Sequence, residues 1–146
     1  MRDTIAIIPA KKNSKRLKNK NIIDFFGKPM IFYSISAALK SKYISEVLVS
    51  TDSKKIKKIA ENYGAKVPYL RKKKLSNHNS KTIDVIRDLF ERYISKNKNL
   101  KKIILLQPTS PLRDCNDIDK SISLFNSKKA DYVTSLCETK PKNWFF

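Results

Sequence analysis

Short apolar runs alternate along the chain with longer stretches in which apolar residues recur every three or four positions. Four runs have the length of a β-strand, and their apolar residues are mostly continuous: residues 5–8, 47–49, 103–106 and 132–136. Continuous runs are typical of strands that are buried on both faces of a parallel sheet. A weaker strand is predicted over residues 65–70.

The longer stretches predict helices between these strands. Residues 30–39 are apolar nearly all round, which predicts a well-buried helix with Pro29 at its first position. Residues 56–63, 83–94 and 116–125 carry apolar side chains at helical spacing. Asp52 or Ser53 could cap the start of the second helix, and Gly64 could end it. The alternation predicts an α/β, Rossmann-like fold, with a mostly parallel sheet and flanking helices, in a single domain over residues 1–146.

Composition excludes several classes of protein. The chain has only two glycines, so it contains neither the GxGxxG dinucleotide motif nor the GxxxxGK[ST] phosphate loop. Two cysteines and one histidine favour neither a disulfide framework nor a structural zinc site, and a reducing cytoplasm is expected. No apolar run approaches 18 residues, so no membrane span is expected. With no nucleophile arrangement in view, the chemistry is expected to rely on positioning and charge neutralisation.

The net charge of +19 has two interpretations. Thirty-two Lys and Arg oppose 13 Asp and Glu, and the basic residues are mostly lysines scattered along the whole chain. Nucleic-acid-binding proteins use arginine more than lysine for specific contacts and place aromatic residues among the basic ones. Most of this charge is therefore interpreted as solvated surface. The alternative, a basic nucleic-acid-binding module, requires the lysines to gather on one face.

Ligands of open parallel sheets bind beyond the carboxyl ends of the strands, where four loops are predicted. The first loop, residues 9–21, carries six cations in 13 residues and could wrap a triphosphate with side-chain charges; the alternative is a solvated basic loop. The second, residues 50–52, is either a helix cap or part of a site. The third contains Arg71 at a strand end, together with His78, which we interpret as an exposed loop histidine. The fourth, residues 107–113, is stiffened by two prolines and carries polar side chains.

Two of these loops carry a family resemblance. The segments Ile-Ile-Pro-Ala-Lys-Lys-Asn-Ser-Lys-Arg at residues 7–16, continuing to Lys20 and Asn21, and Leu-Leu-Gln-Pro-Thr-Ser-Pro-Leu-Arg at residues 105–113 occur in this order and at this separation. Together they resemble the acylneuraminate cytidylyltransferase (CMP-sialic acid synthetase) family. The related Kdo cytidylyltransferases lack the second pattern and are the weaker match.

The resemblance implies a fold like that of the nucleotide-diphospho-sugar transferases and a reaction of CTP with a nine-carbon 2-keto sugar acid. The sugar's anomeric hydroxyl would attack the α-phosphorus, and pyrophosphate would leave. It places Lys11 and Lys15 in catalytic roles. The residues that it places around the nucleotide are Ala10, Lys11, Asn13, Ser14, Lys15, Arg16, Asn21, Arg71 and Thr82. Those that it places around the sugar are Gln107, Thr109 and Ser110, with Arg113 shaping the same loop.

The resemblance also sets expectations for the rest of the protein. Family members are longer, so the chain is expected to be truncated at its C-terminal side and unable to turn over by itself. The Mg²⁺ ligands are expected outside this chain, so no residue here is predicted to bind metal, and a full-length member is expected to form a homodimer. A further alternative is a non-catalytic remnant that associates with a full-length synthetase through apolar surface near residues 144–146. Which sugar acid is used stays open among sialic, legionaminic and pseudaminic acids.

Overall fold

Five strands and four α-helices make up the regular structure in the computed structural model, which describes residues 2–13, 17, 19–77, 79–96 and 100–136. The strands are β1 (Thr4–Pro9), β2 (Asp24–Phe25), β3 (Lys28–Pro29), β4 (Ile44–Ser50) and β5 (Lys102–Leu105). The helices are α1 (Met30–Lys40), α2 (Lys54–Asn62), α3 (Thr82–Arg92) and α4 (Cys115–Lys128). Single turns of 3₁₀ helix occur at Lys20–Ile22, Lys73–Leu75 and Ile94–Lys96. No described helix has the combination of length and apolarity that a membrane crossing requires.

The centre of the fold is a three-stranded parallel sheet in the order β4-β1-β5. Ala6 and Ile8 of β1 belong to an apolar core that also contains buried residues of α1, α2 and α4. Ile5 and Ile7 belong to a second cluster that includes Leu89 of α3. Because β1 is covered on both faces, its continuous apolar run is explained. These elements confirm the predicted Rossmann-like α/β fold.

Strand β5 departs from the expectation of burial on both faces. Ile103 and Leu105 remain 38% and 36% exposed, whereas the neighbouring Leu106 is 2% exposed. β5 pairs only with β1 among the described residues, so it lies at an edge of the sheet. The apolar run at residues 103–106 therefore predicted the strand correctly. The expected burial of both faces is wrong, because one face is partly exposed.

The weaker strand predicted over residues 65–70 is only partly formed. The segment runs parallel to β4, with single bridges between Leu48 and Lys66 and between Thr51 and Leu70. The Lys66 N–H donates to the Val47 carbonyl at 2.8 Å. Pro68 lies between the two bridges and has no N–H to donate, so a continuous ladder cannot form there.

The prediction of a strand over residues 132–136 is wrong. These residues form no described strand, and Tyr132 and Leu136 are 80% and 90% exposed. Apolar composition favours extended backbone, but a strand also needs a neighbour that satisfies its N–H and carbonyl groups. Residues 132–136 form no ladder with any strand in the part of the chain that is described.

Helix boundaries follow the predicted signals with small shifts. The backbone becomes helical one residue after Pro29, which acts as the N-cap of α1. Of the two predicted candidates, Ser53 and not Asp52 is the N-cap of α2, and its hydroxyl accepts the Ile56 N–H at 3.3 Å. Gly64 has a φ of +89°, the left-handed conformation that ends many helices, two residues after α2. Asp114 and Asp117 form a capping box at the start of α4.

The Ser53 cap gives a prediction about stability. Ser53→Ala leaves the buried Ile56 N–H without its acceptor, which should lower the free energy of unfolding by about 1 kcal/mol and the melting temperature by about 2–4 °C. Ser127→Ala is the matched control, because the Ser127 hydroxyl is exposed and bonds only within its own helix. Thermal unfolding followed by circular dichroism measures both, and equal melting temperatures for the two variants would contradict the cap's role.

Candidate functional site

A cleft of about 220 Å³ opens where the strands of the sheet end at their carboxyl side. We call it the carboxyl-edge cleft. Its walls come from the loop after β1, the segment after residue 70, the start of α3 and the loop after β5. The lining residues are Pro9, Lys11, Lys20, Asn21, Arg71, Leu75, Asn77, Ser80, Thr82, Val85, Gln107, Pro108 and Thr109.

The structure brings half of the predicted site residues together in the cleft and places three others outside its lining. The residues that line the cleft are Lys11, Asn21, Arg71, Thr82, Gln107 and Thr109. Ala10 is fully buried beneath the loop, Asn13 is exposed outside the cleft, and Ser110 lines a neighbouring cavity with Arg113. Ser14, Lys15 and Arg16 lie outside the described residues, as do His78 and residues 144–146.

The loop after β1 is held at its first residues by contacts with distant parts of the chain. The Ala10 N–H donates to the Ser50 carbonyl at 2.9 Å, which continues the pairing of β1 with β4. One residue further, the Lys11 carbonyl accepts the Asn21 Nδ2 at 2.9 Å. The Lys12 N–H donates to Asp52 Oδ1 at 2.7 Å. Both polar groups of the peptide between Lys11 and Lys12 are therefore hydrogen-bonded.

Arg71 places a buried positive charge in the wall of the cleft. The residue is 7% exposed, and its Nη2 donates to the Ser50 carbonyl at 3.0 Å. Burial lowers the pKa of the Arg71 guanidinium, and the negative charges of Asp52 and Asp88 oppose that shift. No described carboxylate lies within salt-bridge distance of it. The guanidinium of arginine stays charged in proteins, so this wall of the cleft attracts anions.

One nitrogen of Arg71 has no hydrogen-bond partner in the part of the chain that the structure describes. Its Nη1 lies 3.4 Å from the Leu75 carbonyl, whereas the buried Nε has no hydrogen-bond partner among the described residues. An unsatisfied donor on a charged group is costly when it is buried.

The loop after β5 is fixed to α1 by Arg113. The Arg113 Nη2 donates to the Ser34 hydroxyl at 2.9 Å and to the Gln107 carbonyl at 3.2 Å. The Ser34 hydroxyl in turn lies 3.4 Å from the same carbonyl. Burial lowers the pKa of Arg113, and Asp117 opposes the shift. Arg113 and Ser34 thus hold the backbone carbonyl of Gln107, while the Gln107 side chain stays exposed at the cleft.

Several lining residues were not singled out by the sequence. Lys20 begins a 3₁₀ turn, and Asn77 and Ser80 meet on the opposite wall, where the Ser80 hydroxyl lies 2.7 Å from Asn77 Oδ1. These residues lie in loops that the sequence had already marked as polar. Lys20 belongs to the first family segment, whereas nothing in the sequence distinguishes Asn77 and Ser80 from their polar neighbours.

The described residues do not form a metal site of their own. No group of three or more His, Cys, Asp or Glu side chains among them is arranged to hold an ion. Asp52 is the carboxylate bonded to the first loop, and its Oδ1 already accepts the Lys12 N–H.

Comparison with known proteins identifies the family to which this chain belongs. A family model described as Cytidylyltransferase matches residues 5–141. The CMP-N,N'-diacetyllegionaminic acid synthase of Legionella pneumophila is 41% identical over 120 residues, which cover 82% of this chain and 52% of that protein. The pseudaminic acid cytidylyltransferase of Campylobacter jejuni serotype O:2 is 36% identical, with 92% of this chain and 58% of that protein covered. The N-acylneuraminate cytidylyltransferase of Escherichia coli O18:K1:H7 is 38% identical, with 84% and 28% covered.

Solved structures show the same fold. CMP:2-keto-3-deoxy-manno-octonic acid synthetase, in complex with CTP, superposes with a TM-score of 0.72 at 24% identity, covering 87% of this chain and 48% of that one. The chain spans slightly more than half the length of the legionaminic and pseudaminic acid relatives. Since the family model matches nearly the whole sequence, the resemblance carried by residues 7–21 and 105–113 is confirmed, and the chain belongs to the cytidylyltransferase family.

Proposed function

We propose that this chain binds CTP in the carboxyl-edge cleft and that its protein transfers CMP from CTP to a nonulosonic sugar acid. The observation that carries the proposal is the meeting of Lys11, Lys20 and Arg71 in one small cleft at the carboxyl edge of a parallel sheet. Three cations around one cleft suit a triphosphate. The neighbour of the same fold, which was solved with CTP, supports the choice of nucleotide.

The chemistry requires no nucleophile from the protein. The anomeric hydroxyl of the sugar acid attacks the α-phosphorus of CTP, loses its proton, and forms the new phosphorus–oxygen bond as the bond to pyrophosphate breaks. Negative charge spreads over the phosphate oxygens in the transition state, so fixed cations stabilise it. Lys11 is the described candidate for this role, and Lys15 and Arg16 are proposed from the family resemblance to complete the grip.

The acceptor is proposed as a nine-carbon 2-keto acid of the nonulosonic class. Three similar relatives are named for legionaminic, pseudaminic and N-acylneuraminic acids, which belong to this class. Gln107 and Thr109 follow β5 on the wall of the cleft across from the segment of Arg71 and Thr82, which we assign to the cytidine. In this arrangement the two substrates approach from opposite walls.

Mg²⁺ is proposed as the cofactor from the family resemblance alone. Its ligands are proposed to lie outside this chain, since no group of three or more His, Cys, Asp or Glu among the described residues could hold the ion, and we derive no step through it.

Replacing one lysine of the cleft tests CTP binding. Lys11→Ala removes a cation from the cleft wall and should weaken CTP about ten- to a hundredfold, because a hydrogen bond to a charged group contributes about 1.5–3 kcal/mol. Isothermal titration calorimetry of the chain with CTP measures the change in Kd.

Lys101→Ala is the matched control for charge. Lys101 is an exposed lysine just before β5, at the opposite edge of the sheet, so the variant loses the same charge without changing the cleft. Its Kd for CTP should stay within about twofold of that of the unaltered chain after the change in net charge is screened with salt. Equal weakening in both variants would show that CTP responds to overall charge only.

The acceptor side is tested separately. Gln107→Ala should reduce binding of the sugar acid to the CTP-saturated chain while leaving the Kd for CTP within about threefold, because Gln107 lies across the cleft from the cytidine wall. Saturation-transfer NMR with N-acetylneuraminic, legionaminic and pseudaminic acids reports which acid binds. A loss of CTP affinity with no change for any acid would reverse the assignment of the two walls.

A further inference from the structure

We propose that Asp52 is a positioning residue that directs Lys11 into the carboxyl-edge cleft by holding the peptide group between Lys11 and Lys12. This inference rests on the CTP site proposed above and adds a residue that touches no substrate. The sequence left Asp52 as either a helix cap or part of a site.

The peptide group between Lys11 and Lys12 is held on both of its polar sides. Its carbonyl accepts the Asn21 Nδ2 at 2.9 Å, and its N–H donates to Asp52 Oδ1 at 2.7 Å. A trans peptide is planar, with its carbonyl and N–H directed to opposite sides. Two hydrogen bonds at those opposite ends fix the rotation of the plane, which sets ψ of Lys11 and φ of Lys12.

Fixing this plane matters because the loop after β1 has no regular secondary structure at its first residues. Residues 10–13 belong to no helix or strand, and the loop contains no glycine with which to build a backbone nest for phosphates. The Ala10 N–H is bonded to Ser50, and the peptide between Lys11 and Lys12 is the second one beyond that bond. Ordering it before the ligand arrives lowers the entropy that binding would otherwise lose.

Asp52 is free for this role because Ser53 caps α2. The hydrogen bond from Lys12 spans 40 residues and does nothing for the helix itself. A carboxylate near the intended site of a polyanion is unfavourable unless its charge is balanced. Asp52 lies one residue before the N-cap of α2, where a helix N-terminus favours negative charge, and its carboxylate accepts the Lys12 N–H. The carboxylate therefore bonds the loop backbone from outside the lining of the cleft.

The test separates the hydrogen bond from the charge. Asp52→Ala removes the acceptor and should weaken CTP about tenfold, whereas Asp52→Asn keeps an oxygen at the same position and should bind CTP within about twofold of the unaltered chain. Ser53→Ala is the control for stability, since it removes the neighbouring helix cap without touching the loop, and its Kd should stay unchanged. Asp52→Ser, whose side chain is too short to make the same contact, serves if the alanine variant melts too early.

A second readout does not depend on CTP. Amide hydrogen exchange of Lys12, followed by ¹⁵N NMR, should be slow in the unaltered chain and in Asp52→Asn and fast in Asp52→Ala. Equal exchange and equal CTP affinity in the unaltered chain and Asp52→Ala would overturn the proposal, as would an asparagine variant as weak as the alanine variant. An unaltered chain that does not bind CTP would defeat the proposed function, whereas the Lys12 amide would still decide whether Asp52 holds the loop.

Discussion

The parallel pairing of β1 between β4 and β5 is the constraint on which the rest of this structure depends. It places β1 in the centre of the sheet, where helices cover both of its faces, and brings the carboxyl ends of all three strands to one edge of the sheet. The loops that follow Pro9, Ser50 and Leu105 must therefore meet there. Because the strands end at this edge, the loops that follow them carry the polar groups of the cleft.

A charge in the wall of the cleft is screened less by water and salt than a charge on the surface. The +19 of the whole chain includes many exposed lysines, which water and salt screen effectively. Arg71 is 7% exposed and bonded to the Ser50 carbonyl, so its charge acts at short range in a poorly screened environment. One buried arginine can thus matter more to an anionic ligand than several lysines along a helix face.

Local signals in the sequence predicted the framework well. The apolar runs at residues 5–8, 47–49 and 103–106 became β1, β4 and β5, and the helical spacings became α1 to α4. The same reasoning failed at residues 132–136, where an apolar run pairs with no strand among the described residues, and it missed that Pro68 interrupts the segment beside β4. Strand formation depends on a partner elsewhere in the chain, and composition does not report that partner.

Part of the lining of the cleft could be predicted from the sequence, but not the contacts that hold those residues. Its polar loops and the family motifs identified Lys11, Arg71 and Gln107 from the sequence alone. The contacts that orient them join residues far apart: Asp52 to Lys12, and Arg113 to Ser34 across 79 positions. A serine in the middle of the apolar helix α1 gives no sign that it supports a loop after β5. Since Ser34 is 1% exposed and bonded to the Arg113 that holds the Gln107 carbonyl, a change there would move the cleft wall without touching a ligand. Supporting residues of this kind are found only once the fold has brought the distant segments together.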